Sequence, residues 1–178
     1  MDPVTVEVTI ARPREEVFEY LADIANHAEF HDHFLEKWHL TREDSYGQGA
    51  GARFHAKVNR YSWGDVTFTE VVAPRLIVER GRAGKYNRVL TRGAYELEEG
   101  SGQTTRVTYT FETKPKLLTD RLFEPFGHRG AFKRKSNKAL RRLRAILEDG
   151  EERGTRASVA GGARKPASGY RFRPDLNR

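Results

Sequence analysis

Val4, Val6, Val8 and Ile10 alternate with Thr5, Glu7 and Thr9. That period of two gives a strand with one buried face. Arg12-Pro13 ends it. Pro13 suits a first helical turn, where φ near −65° is wanted and a backbone N–H is not. Glu15 and Glu16 place negative charge where the helix dipole favours it. Val17, Phe18 and Leu21 make an inward stripe. Asp23 is a candidate cap for a second short helix through Asn26 to Phe30, with Ile24 and Phe30 facing in.

From about Leu35 to Thr113 the period is two. Trp38 and Leu40 lie in one strand, and Gly47, Gly49 and Gly51 mark a turn. Phe54, Ala56 and Val58 follow as one strand face. Trp63 to Val72 predicts a strand, which Ala73-Pro74-Arg75 turns into Leu76 to Arg80. Val89 to Leu97 and Thr105 to Phe111 read as a hairpin closed by Glu99-Gly100-Ser101-Gly102. Val107, Tyr109 and Phe111 share one face of it; Thr108, Thr110 and Glu112 share the other.

Pro115 ends the sheet, Lys116 to Glu124 is weakly helical, and Pro125 suits the start of a new helix. Ala139, Leu140, Leu143, Ile146 and Leu147 recur at helical spacing up to about Glu148. Such a helix is about 35 Å long, enough to cross a small sheet. Gly150 stops it. The order of elements therefore predicts an α+β domain over residues 1–149. Two short helices follow the first strand, and one long helix packs on a curved antiparallel sheet. A curved sheet holding a helix encloses a pocket between them. Residues 150–178 are rich in Gly and Pro with almost no apolar period, and are expected to be a disordered basic tail.

Composition removes several chemistries. The chain has 178 residues and no Cys, which excludes disulfides, thiolate metal sites and Cys nucleophiles. No apolar run approaches the ~18 residues of a membrane span. No secretory signal pattern opens the chain, so a soluble cytoplasmic protein is the expectation. The net charge is +7. Much of it falls on the tail and on the terminal helix, through Lys133, Arg134, Lys135, Lys138, Arg141, Arg142 and Arg144. A face of this kind is most often solvated, and it also suits an anionic membrane or RNA phosphates.

The stretch Val6 to Phe30 resembles the opening of the polyketide cyclase/dehydrase and lipid-transport group of the START-like, Bet v 1-like (SRPBCC) superfamily. It shows a strand, a Pro with a Val-Phe pair soon after, then an Asp opening the second helix. The turn Gly47-Gln48-Gly49-Ala50-Gly51-Ala52-Arg53-Phe54 and the step Thr69-Glu70-Val71-Val72-Ala73-Pro74-Arg75-Leu76 are similar to that group as well. So are Gly93 to Leu97, Thr105 to Phe111 and the basic terminal helix. The resemblance spans about residues 3 to 148. It implies a helix-grip fold, in which seven antiparallel strands curl around the C-terminal helix and leave a hydrophobic cavity. It implies a small apolar or aromatic ligand such as a polyketide, lipid or quinone, with cyclase, aromatase or dehydratase activity in some members. The group has no universal catalytic set, so no catalytic residue carries over, and no cofactor is implied.

Tyr61, Trp63, Tyr95 and Tyr109 are candidate cavity residues, since a Tyr ring supplies apolar area and its hydroxyl one orienting hydrogen bond. Phe30, Phe54 and Phe126 join them as ligand-binding candidates. With Phe54 inward, Arg53 and His55 are expected to face solvent. Arg80 and Arg92 read first as exposed strand arginines and otherwise as anchors for a ligand carboxylate. His27, His31 and His33 surround Asp32. They read first as a solvated or entrance-lining cluster, with acid/base work or a metal site as alternatives. No His-Glu-x-x-His pattern is present and no metal is expected. The spaced glycines at Gly47, Gly49 and Gly51 precede a strand, so the helix N-terminus that cradles a dinucleotide phosphate is missing. No Gly-x-Ser-x-Gly elbow exists.

Overall fold

The computed structural model describes residues 3–58, 62–83, 89–114, 128–150, 154, 157–159 and 162–163. The opening alternation forms β1 (Val4–Ile10), followed by α1 (Arg14–Ala22) and α2 (His27–His31). Six strands follow: β2 (Leu35–Leu40), β3 (Gly51–Ala56), β4 (Trp63–Val72), β5 (Leu76–Ala83), β6 (Val89–Glu99) and β7 (Thr105–Lys114). The long helix is α3 (His128–Asp149). The sheet runs β1-β7-β6-β5-β4-β3-β2, each neighbouring pair antiparallel. This is the seven-stranded helix-grip architecture. No described helix is long and apolar enough to cross a membrane.

Residues directly opposite across antiparallel strands share a face. One such row runs Val6, Tyr109, Tyr95, Ile77. The next runs Val4, Phe111, Gly93, Glu79, Phe68. Both rows lie on the inner face, which α1, α2 and the Ala139, Leu140, Leu143 and Ile146 stripe of α3 cover. Burying these side chains is the main stabilising term, at roughly 25 cal/mol per Å² of apolar surface.

The end of β1 is fastened to the end of α3. Arg12 donates from Nε to the Leu147 carbonyl and from Nη2 to the Glu148 carbonyl, both at 2.8 Å. The Ala11 N–H donates to Glu148 Oε1 at 2.6 Å. Helix C-terminal carbonyls lack intrahelical donors, and a cation there also opposes the dipole. Gly150, at φ +71°, closes the helix in the left-handed conformation that glycine adopts without strain.

A few residues beyond α3 are described, and they lie on the domain. Gly154 lies against Asp32 and the Glu29 carbonyl, so closely that any side chain there would overlap them. Ala157 is buried. β8 (Ser158–Val159) pairs in parallel with β2 through Ser158 and His39, and β9 (Gly162–Ala163) pairs with β8. An edge strand offers unpaired backbone groups to any passing chain. Small residues at 154 and 157 let this backbone come close. The rest of the tail, and the weakly helical stretch Lys116 to Glu124, lie outside the described residues.

Candidate ligand site on the inner face

Aromatic rings dominate the concave side. Deep in it Phe68 and Tyr95 are fully buried, whereas Phe54, Phe111 and Phe132 face the same interior and are only half-buried. The rings form chains. Tyr95 meets Tyr109 at 4.4 Å between centroids, Phe111 stacks on Phe132 at 4.2 Å, and Trp38 stacks on Phe54 at 5.2 Å. These separations are those of favourable aromatic pairs.

One carboxyl sits among them. Glu79 on β5 leans across β6 at Gly93, where a Cβ would overlap the carboxyl. The Tyr109 hydroxyl on β7 donates to Glu79 Oε1 at 2.8 Å. Burial disfavours the charged carboxylate and outweighs the hydrogen bond that favours it, so the Glu79 pKa is raised from 4.5 to about 7. Burial, reinforced by the Glu79 charge, also pushes the Tyr95 and Tyr109 phenols well above their ordinary value. Glu79 keeps 8% of its surface exposed. Near neutral pH this group can therefore hold, give or take a proton.

Of the three histidines only His27 is buried, while His31 and His33 are partly exposed. α2 turns His27 into the core, where its ring meets Phe30, Phe68 and Tyr95 at centroid distances of 5.1, 5.3 and 5.5 Å. Its Nε2 lies 2.8 Å from the Leu21 carbonyl, which requires an N–H there. Burial lowers its pKa from 6.5 to about 4. His31 donates from Nδ1 to the His27 carbonyl at 2.9 Å, and burial, aided by His27, lowers its pKa to about 3. Both are neutral imidazoles satisfying backbone carbonyls. His33 points elsewhere, with Nε2 3.1 Å from the Lys135 carbonyl. Among the described residues no three His, Asp or Glu side chains are grouped to hold a metal ion.

Of the residues singled out in the sequence, Tyr95, Tyr109, Phe30 and Phe54 meet on the inner face. Trp63 does not. Phe54 pairs with Gly64, so Trp63 falls on the outer face beside His55, at 5.0 Å, and beneath the Arg53 guanidinium, at 5.1 Å. His55 faces outward with Arg53, yet Trp63 covers it, so it is buried rather than solvated, with Nδ1 3.0 Å from Glu36 Oε1. Arg80 and Arg92 pair on the outer face, where Arg92 approaches Glu112 at 3.7 Å. Tyr61 and Phe126 lie outside the described residues. Glu79 was missed altogether. Beside Arg80 it reads as a solvated strand charge, although Ile77 and Glu79 must share a face.

The family model for polyketide cyclase/dehydrase and lipid transport matches residues 1–148. The chain belongs to that family. Membership in the polyketide cyclase/dehydrase and lipid-transport family supports a ligand-binding role. No curated protein sequence matches the chain significantly. Among solved structures, a hypothetical protein from Helicobacter pylori has a TM-score of 0.65 at 11% identity, over 83% of this chain and 88% of that one. Truncated norcoclaurine synthase from Thalictrum flavum has a TM-score of 0.63 at 12% identity, over 82% and 92%. DynU16, encoded in the dynemicin biosynthetic locus, has a TM-score of 0.61 at 18% identity, over 89% and 51%. The chain thus spans about half the length of DynU16. At these identities the likeness is one of fold.

Proposed function

We propose that this protein binds a small hydrophobic or aromatic ligand, such as a polyketide, lipid or quinone-like molecule, between the inner face of the sheet and α3. The observation that carries this reading is the Glu79–Tyr109 pair set among aromatic rings, of which Phe111 is half-buried. Ligand sites are typically apolar surfaces with a few placed polar groups. Native mass spectrometry of the purified protein tests it. The expected result is a non-covalent adduct that organic solvent releases. A chain that carries no adduct and also fails to take up a panel of polycyclic aromatic compounds would overturn it.

Within that reading, turnover as a polyketide cyclase or dehydratase draws on Glu79. A carboxyl with a pKa of about 7 suits removal of a proton next to a carbonyl and its return to a leaving hydroxyl. The related fold of norcoclaurine synthase has been seen with a transition-state analogue, so such a scaffold can host chemistry. A second reading has its own observation. Lys133, Arg134, Lys138 and Arg141 are all exposed on α3, a cationic face suited to an anionic membrane or RNA. Binding to anionic vesicles or RNA that weakens with added salt would support it. No binding at low salt would end it.

A further inference from the structure

Glu79 is a buried carboxyl with no cationic protein partner among the described residues. Its one hydrogen bond there comes from Tyr109, and burial is the dominant influence on its charge. Among the described residues every other group facing it is neutral near pH 7. From β7 and β6 these are the Tyr109 and Tyr95 phenols; from β4 it is Phe68. From α2, His27 meets the Tyr95 ring as an uncharged imidazole. The buried side chains of α3 are Ser136, Ala139, Leu140, Leu143 and Ile146, none of them charged. Buried ions are normally paired. Around Glu79 the described residues supply no cation and several aromatic faces.

We propose that Glu79 is the counter-ion for a ligand bearing a protonated nitrogen, held beside the Tyr109, Tyr95 and Phe111 rings. The inference rests on the ligand-binding reading above and narrows it to a class, the aromatic amines. The faces of aromatic rings attract cations, and more so where water is excluded. A ligand carboxylate meets repulsion from the same group. A neutral carbonyl oxygen accepts a hydrogen bond from Glu79 only in its protonated form and lacks the cation's attraction to the ring faces. Gly93 is what leaves room for the carboxyl to lie across β6 toward Tyr109.

The test is calorimetric titration of the full chain with three probes of one shape: naphthylethylamine, naphthylethanol and naphthylacetate. At pH 8 the amine is expected to bind about tenfold or more tightly than the alcohol, and the acid most weakly. Below pH 7 amine affinity falls about tenfold per pH unit as Glu79 protonates, while the alcohol stays level. Glu79→Gln removes the amine's advantage over the alcohol. The wild-type pH profile needs no variant, so a poorly folding Gln variant does not decide the matter. Equal binding of amine and alcohol at pH 8, an amine profile that is flat between pH 5 and 8, or an advantage that survives in Glu79→Gln overturns the proposal alone. Failure of all three probes to bind removes the ligand site itself, and this proposal with it.

Discussion

The Arg142 guanidinium on α3 lies 2.8 Å from the Asp32 carboxylate just beyond α2, and both side chains are about one-fifth exposed. Arg142 also donates to the Glu29 carbonyl at 3.3 Å. The pair joins the long helix to the short one that carries His27 and His31. Its cost and gain lie between those of a surface pair and a sealed one. Asp32→Asn is expected to lower stability by about 1–2 kcal/mol. Urea unfolding reads this directly, and an unchanged midpoint would show that the pair adds nothing.

Buried titrating groups give stability opposing pH dependences. For Glu79 the folded pKa of about 7 lies above the ordinary 4.5. The folded state holds that proton more tightly, so this contribution is full below 4.5 and is lost as pH rises to 7. For His27 the folded pKa of about 4 lies below the ordinary 6.5. Its contribution is full above 6.5 and is lost as pH falls through 4, up to about 3 kcal/mol. Glu79→Gln should therefore gain stability relative to wild type between pH 4.5 and 7 and run parallel above it. Denaturant titrations at several pH values check this, and a constant difference across that range would contradict it.

Gly93→Ala places a methyl where the Glu79 carboxyl rests. The carboxyl must move, and its bond from Tyr109 goes with it. A loss of about 1–3 kcal/mol is expected. Removing the carboxyl should relieve most of that loss, so a double-mutant cycle of Gly93→Ala with Glu79→Ala is expected to show strong coupling. Additive effects would mean that the two positions do not meet.

Leu143 is fully buried in the stripe of α3. Leu143→Ala should cost about 2–5 kcal/mol by leaving a cavity. Leu143→Asp should abolish cooperative melting, because the charge has no partner there. A circular-dichroism melt like that of wild type would place α3 outside the core.

The fold could be read because its signals are local. The alternation of β1, the proline at the start of α1 and the stripe of α3 each need only a few neighbouring residues. Phe54 inward and Arg53 outward followed from the same period of two. The site was harder, because it depends on strand partners. Nothing near Glu79 in sequence shows that Gly93 and Tyr109 sit beside it; the register of β5, β6 and β7 does. His27 and His31 fit a mouth or a core equally well by spacing. The structure puts His27 in the core and leaves His31 partly exposed. Trp63 misled because its strand's inward face begins one residue later, at Gly64 opposite Phe54.

The Arg12 clamp on the last turn of α3 sets a condition on synthesis. Its two partners lie 135 and 136 residues downstream. β1 likewise waits for β7 to pair with it. A nascent chain cannot close this domain until nearly all of it has left the ribosome, and contacts of such long sequence separation form slowly. Until then β1 has an open edge and an apolar face, with Thr5, Glu7 and Thr9 on the side that stays exposed to water.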